Sequence, residues 1–78
     1  PAVLISWAGR GLSMRVNKIG IDAGLNSSAA IKVLKASMPD SIEAGGGHPV
    51  SSAMRMKVGE SRKVVDALIK EIAAQRKA

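Results

Sequence analysis

Leu12-Ser13-Met14-Arg15-Val16-Asn17, the stretch LSMRVN, alternates apolar and polar side chains at every position. This period of two predicts a β-strand with one face against a core and the other toward solvent, so that Ser13 and Arg15 share the polar face. The turn Gly9-Arg10-Gly11 precedes this strand, and the apolar run Ala2–Ala8 precedes the turn. We expect Ala2–Ala8 to be another strand, buried on both faces and paired with the first in a hairpin.

Two helices are predicted from the spacing of apolar residues. The first begins at Asn26 or Ser27, either of which can cap it, and ends before Pro39. The second begins at Ser61, the expected N-cap. Its apolar side chains recur at helical spacing at Val64, Val65, Leu68, Ile69 and Ile72. Each helix therefore offers one face that can pack on a sheet.

A third strand is predicted over Ser51–Val58, with Arg55 and Lys57 on its polar side. The segment before it, Asp40–Pro49, has no such period and is predicted to be a loop. The predicted fold is therefore a small α/β domain, residues 1–78, with a mixed β-sheet and two main helices in the order β-β-α-β-α. Because the chain begins at Pro1 without a methionine, we expect it to be a piece of a longer protein.

Composition favours an anionic partner. The 78 residues carry a formal net charge of +6, and the isoelectric point is about 10.4, which suits nucleic acid, nucleotide or phosphate. A single tryptophan argues against a binder that stacks many bases on aromatic side chains. The chain has no cysteine and no apolar run long enough to span a membrane, and we expect a cytoplasmic protein without a membrane partner.

The stretch EAGGGHPV, Glu43–Val50, holds the chain's one histidine directly after three glycines. Glycines let a backbone approach a ligand closely and let successive N–H groups converge on an anion. Pro49 favours an extended conformation for His48, whose imidazole can donate to a phosphate oxygen. These properties suit a phosphate-binding loop. A flexible loop with an incidental surface histidine explains the same residues, because short glycine runs are common.

Cations on the polar strand faces bear on this choice. Arg15 is the strongest single candidate, since a guanidinium can hold phosphate through two hydrogen bonds. Arg55 and Lys57 share a face of the later strand, and we interpret them as part of an ordinary solvated surface. If the polar faces lie together, Ser13 and Arg15 would join the glycine stretch in one surface for an anionic ligand.

Three segments resemble the C-terminal DHH-associated domain of DHH-family phosphoesterases. GGGHPVSSAM, residues 45–54, resembles its Gly-Gly-Gly-His motif, and LSMR, residues 12–15, resembles its Ser-x-Arg strand. GLNSSAAIKVL, residues 24–34, is similar to the intervening helix. The resemblance covers nearly the whole chain and looks closest to the RecJ-like single-strand exonucleases. It departs from the family at Ser51, Ser52 and Ala53, where Ala-Ala-Gly is usual.

The resemblance implies a division of labour. A preceding catalytic domain would hold two divalent metals, usually manganese, and the present chain would bind the phosphate or nucleotide of a single-stranded nucleic acid or short oligonucleotide. The implied binding residues are Gly45, Gly46, Gly47, His48, Arg15 and Ser13. The chain itself would hold no catalytic residue, metal or cofactor, because one histidine and scattered acids do not supply the clustered ligands of a two-metal site.

Two other functions are compatible with the sequence. The chain could be a nucleic-acid-binding module without a catalytic partner, such as a tRNA-interacting appendage, since a variant of this domain also ends alanyl-tRNA synthetases. It could instead be a structural or oligomerisation domain in which the glycine stretch is a plain turn. An Asp-His-His constellation upstream in the parent protein would favour the enzyme. An unchanged affinity for ligands in His48→Ala would favour the structural domain.

Overall fold

The computed structural model describes residues 2–76 and contains a four-stranded sheet and three helices. In chain order the elements are β1 (Val3–Ala8), β2 (Gly11–Val16), α1 (Lys18–Asp22), α2 (Ser27–Ser37), β3 (Ile42–His48), β4 (Ser51–Met56) and α3 (Ser61–Gln75). The predicted α/β class is confirmed. The predicted order is also confirmed in outline, with the short helix α1 and the strand β3 as additions.

The strands lie in the order β1-β2-β4-β3, and each of the three pairings is antiparallel. The expectation of a mixed sheet is therefore wrong. Tight turns join β1 to β2 and β3 to β4, and a connection this short returns the chain antiparallel to itself. β1 and β3 are the two edges of the sheet.

The helices cover one face of the sheet and leave the other open. Along β2, buried and exposed residues alternate strictly, as predicted, and β4 repeats this pattern. The buried face carries Met14 and Met56, both fully enclosed. The core is completed by apolar residues of both layers, namely Leu12, Val16, Leu25, Ala30, Ile31, Leu34, Ile42, Met54, Val64, Val65 and Leu68.

Two buried serines also join the helix layer to the sheet. The hydroxyls of Ser27, at the start of α2, and Ser52, in β4, are hydrogen-bonded to each other. A hydroxyl buried without a partner costs about 1–3 kcal/mol, so each serine satisfies the other. Ser52 is one of the positions that depart from the family pattern, and the structure gives its hydroxyl a structural partner.

β1 is less buried than predicted. Leu4 is 56% and Trp7 41% exposed, although Val3 and Ile5 pack against the core. The prediction that this strand is covered on both faces is wrong. Leu4 is opposite Arg15 on the open face, which has no second layer, whereas Trp7 is opposite the buried Leu12 and is exposed because β1 lies at the edge of the sheet. Val58, predicted to continue the buried face of the later strand, is likewise exposed because β4 ends at Met56.

The segment predicted as a loop over Asp40–Pro49 instead contains β3, which includes all three consecutive glycines. Glycine has low strand propensity and provides no side chain to pack. Hydrogen bonding to β4 overrides that preference. Glycine at position 45 avoids a clash, because a Cβ there would lie 2.8 Å from Met54 Cβ and 3.0 Å from Ile31 Cγ2. Glycine therefore lets α2 pack closely on β3.

The helix caps follow the prediction at one of two sites. Asn26 caps α2, and its side-chain oxygen accepts a hydrogen bond of 2.9 Å from the backbone N–H of Ala29. Ser61 does not cap α3: the N-cap is Glu60, and the Ser61 hydroxyl donates to the Gly9 carbonyl at 2.8 Å. The Ser61 hydroxyl is therefore hydrogen-bonded to the β1–β2 turn and not to the first turn of α3. Within residues 2–76, no helix is both long and apolar enough to cross a membrane.

The environment of Glu60 predicts that the free energy of unfolding falls slightly in acid. Its carboxylate accepts a hydrogen bond of 2.6 Å from Ser41 Oγ and lies 3.2 Å from Lys63 Nζ. These contacts, with Ser41 the larger cause, lower the pKa of Glu60. A folded-state pKa below the unfolded one stabilises the fold above the unfolded value, and this stabilisation is lost as pH falls through the folded pKa. We expect Glu60→Gln to flatten the loss of stability in acid, measured by urea denaturation from pH 6 to pH 3. An unchanged slope would contradict this.

Candidate functional site

The cross-strand pairing places Arg15 and His48 in one row on the open face of the sheet. Arg15 of β2 is opposite Ser51 of β4, and Ser51 is opposite His48 of β3. Residues directly opposite each other point to the same face, and the alternation of β2 and β4 identifies this as the uncovered face. Two strand spacings separate Arg15 from His48, about 10 Å between their Cα atoms.

The side chains in this row are available to a ligand. Arg15 and His48 are exposed, and within residues 2–76 neither side chain has a hydrogen-bond or ion-pair partner. Leu4 is the fourth member of the row, so the row contains no acidic residue. An anion between Arg15 and His48 could accept hydrogen bonds from both side chains and from the Ser51 hydroxyl between them.

The adjacent row has small side chains. Ser13 is opposite Ala53, and Ala53 is opposite Gly46. A Cβ added at Gly46 would meet no atom within 4 Å, so packing in this domain does not require glycine there. The structure therefore brings Arg15, Ser13, His48 and Gly46 together on the same open face.

Gly45 and Gly47 do not belong to that face. They alternate with Gly46 along β3 and lie on the side of α2, where Gly45 is opposite Met54 and Gly47 is opposite the buried Ser52. Successive N–H groups of a strand point in opposite directions, so the three glycines do not form the converging set of N–H donors that a loop would offer. A ligand on the open face is therefore bound mainly by side chains.

The other cations near this face differ in whether a carboxylate is already paired with them. Pairing is irregular between Ile42 and Ala44, and Glu43, which lies there, contacts Arg10 at 2.8 Å and Arg55 at 3.3 Å. Arg55 thus already has a carboxylate partner, which agrees with its interpretation as part of the ordinary surface. Lys57 lies beyond the end of β4. Arg15 is the better anion ligand because, in the part of the chain that the structure describes, no carboxylate is paired with it.

Sequence reasoning missed two participants. Ser51 lies between Arg15 and His48, but its position follows from the pairing of β3 with β4, and β3 was predicted as a loop. Glu43 is the other, and its contacts with two arginines depend on the irregular start of β3. Alternation around Ser51 could have placed it on the polar face of β4.

Residues 2–76 contain no group of three or more His, Asp or Glu side chains close enough to hold a metal ion.

Comparison with solved structures identifies the architecture. The chain superimposes on part of a DHH-domain protein, described as a member of the S1P family of ribosomal proteins, with a TM-score of 0.86 over 96% of its length and 20% sequence identity. The two share one fold. The aligned region is 17% of that longer chain, so the present chain corresponds to a small part of the DHH-domain protein. No protein-family model and no curated protein matches the sequence.

Proposed function

We propose that this chain is the DHH-associated, substrate-binding part of a DHH-family phosphoesterase, and that its open sheet face binds a phosphate group. The observation that carries the proposal is the row Arg15, Ser51 and His48, two free cationic or donor side chains with a hydroxyl between them and no acid beside them. The fold shared with a DHH-domain protein supports it, as does the net charge of +6.

Each residue has a distinct part in the proposed binding. Arg15 supplies a permanent positive charge and a planar set of N–H donors that can hold two phosphate oxygens. His48 donates from its imidazole at the opposite side of the same anion, and Ser51 can donate between them. Ser13 and Gly46 line the adjacent row, where small side chains leave room for the sugar or base attached to the phosphate.

For the parent protein we propose hydrolysis of phosphodiester bonds in single-stranded nucleic acid or short oligonucleotides, as in the RecJ-like group. The metal ions, manganese by resemblance, would be held by a preceding catalytic domain that closes over this face. The present chain would bind substrate and perform no hydrolysis. An upstream Asp-His-His constellation in the parent sequence would support this proposal, and its absence would favour a binding module without catalysis.

The direct test is the affinity of the 78-residue chain for a fluorescein-labelled thymidine dinucleotide with a 5′-phosphate, measured by anisotropy at low salt. We expect Arg15→Ala to weaken binding about tenfold, because a hydrogen-bonded ion pair with phosphate is lost. We expect His48→Ala to weaken it by a smaller factor, about threefold, since one donor is lost.

Arg62→Ala is the matched control for Arg15→Ala. Arg62 lies on α3, with its guanidinium carbon 5.7 Å from the centre of the Trp7 ring. It is therefore away from the row of Arg15, Ser51 and His48, which we call the phosphate row. Its removal lowers the net charge by the same amount. If Arg62→Ala and Arg15→Ala weaken binding equally, attraction to the basic domain as a whole explains the affinity, and the proposed site is wrong.

A further inference from the structure

A groove of about 570 Å³ lies on the other side of β3 from the phosphate row, between α2 and the outer edge of the strand. This volume is within the range of small-ligand sites in proteins, about 300–1,000 Å³. The backbone of Gly45–Gly47 forms one wall, and α2 contributes Lys32 and Lys35 to the other. Among residues 2–76, no acidic side chain lines the groove.

The contacts of Lys35 show how the edge of β3 is oriented. Lys35 Nζ donates to the carbonyl oxygen of Gly45 at 2.9 Å, so this carbonyl points away from β4. Residues two apart in a strand turn their backbone groups to the same side, and Gly47 therefore presents its N–H to the groove as well. Lys32 is exposed and, within residues 2–76, its side chain has no hydrogen-bond or ion-pair partner. Ammonium groups beside a backbone N–H form a surface suited to an anion.

Only the glycine segment of β3 separates the groove from the phosphate row. His48 follows Gly47 directly, and β3 is the last strand of the sheet on this side. Because the three glycines carry no side chains, an extended chain can pass from the open face over the edge of β3 to α2. A Cβ at Gly46 would point into open space, so a larger side chain there would stand in this path.

We propose that the groove binds flanking phosphates of a single-stranded nucleic acid whose first phosphate lies at Arg15 and His48. This proposal rests on the proposed function and deepens it, because it assigns the chain a polymeric substrate several nucleotides long. Lys32 and Lys35 neutralise the flanking phosphates, and the ammonium of Lys35 exchanges the Gly45 carbonyl for a phosphate oxygen. The complementary charges and the absence of acids in the lining favour this occupant.

The test compares labelled oligothymidylates of two and eight nucleotides, each with a 5′-phosphate, on the 78-residue chain. We expect Lys32→Gln/Lys35→Gln to weaken binding of the octanucleotide about tenfold at low salt and to leave the dinucleotide unchanged. The slope of log affinity against log salt for the octanucleotide should become shallower by about 1.4, since each lost phosphate contact with a single strand contributes about 0.7.

Lys57→Gln/Lys70→Gln is the matched control, because it removes two charges from exposed positions that do not line the groove. Equal effects of the two double variants on the octanucleotide would overturn the groove proposal and leave the dinucleotide site intact. Dinucleotide binding that ignores Arg15→Ala would instead contradict the proposed function. If oligoglutamate, and not the octanucleotide, depends on Lys32 and Lys35, the groove takes an acidic peptide and our proposal is wrong.

Discussion

Gly47→Ala is expected to lower the free energy of unfolding by about 3 kcal/mol, a large part of the roughly 4–12 kcal/mol available to a chain of this length. Gly47 has a backbone φ of +153°, a value that L-residues with a side chain rarely adopt. A Cβ there would lie 2.5 Å from both the Ser51 carbonyl oxygen and Ser52 Cα. These are backbone atoms in the β3–β4 hairpin, and they cannot move away without breaking the pairing.

Gly46→Ala provides the control one residue away. A Cβ at Gly46 meets no atom within 4 Å, so its stability should change by less than about 0.5 kcal/mol. Urea denaturation followed by circular dichroism measures both variants. Equal effects at the two positions would mean that flexibility of the unfolded chain, and not the hairpin geometry, accounts for the cost of replacing glycine.

Leu68→Ala is expected to cost about 3 kcal/mol, within the 2–5 kcal/mol typical of buried leucine truncations. Leu68 is fully buried in the middle of α3 and belongs to the core shared by helix and sheet. Removing its branched end leaves a cavity that neighbouring side chains refill incompletely. The midpoint of urea denaturation should fall with little change in its slope.

The next residue tests whether burial or helix position matters. Ile69 is 54% exposed, and Ile69→Ala should change stability by less than about 0.5 kcal/mol. A loss at Ile69 as large as at Leu68 would show that this apolar surface is covered in solution, for example by a second copy of the chain. The sequence pattern assigned both residues to one apolar face, so the pair also tests what the pattern left unresolved.

Strict alternation made β2 and β4 predictable. Met14 and Met56 are buried and Arg15 and Arg55 exposed, as expected, because a strand's period of two reads directly from the sequence. The cap at Asn26 was equally local, since it needs a side chain and the N–H three residues later. These features depend on neighbours in the chain.

β3 was not predictable in the same way. Its glycines have no pattern of polarity, and their strand conformation depends on pairing with β4 and on close packing beneath Ile31. The exposure of β1 and Ile69 is a similar case, because an edge or the rim of a helix layer is defined by what lies beside it. Local preference is weak at such sites and tertiary contacts override it.

The residues of the candidate site divide along the same line. Arg15, His48 and the glycine run could be selected from the sequence because their chemistry suits a phosphate and their motifs resemble a known domain. Tertiary structure alone put Arg15, Ser51 and His48 in one row, moved Gly45 and Gly47 to the other side of the sheet, and opened the groove beside Lys32 and Lys35. Residue types determine which interactions are possible, whereas strand order and register, set by long-range pairing, determine which side chains meet.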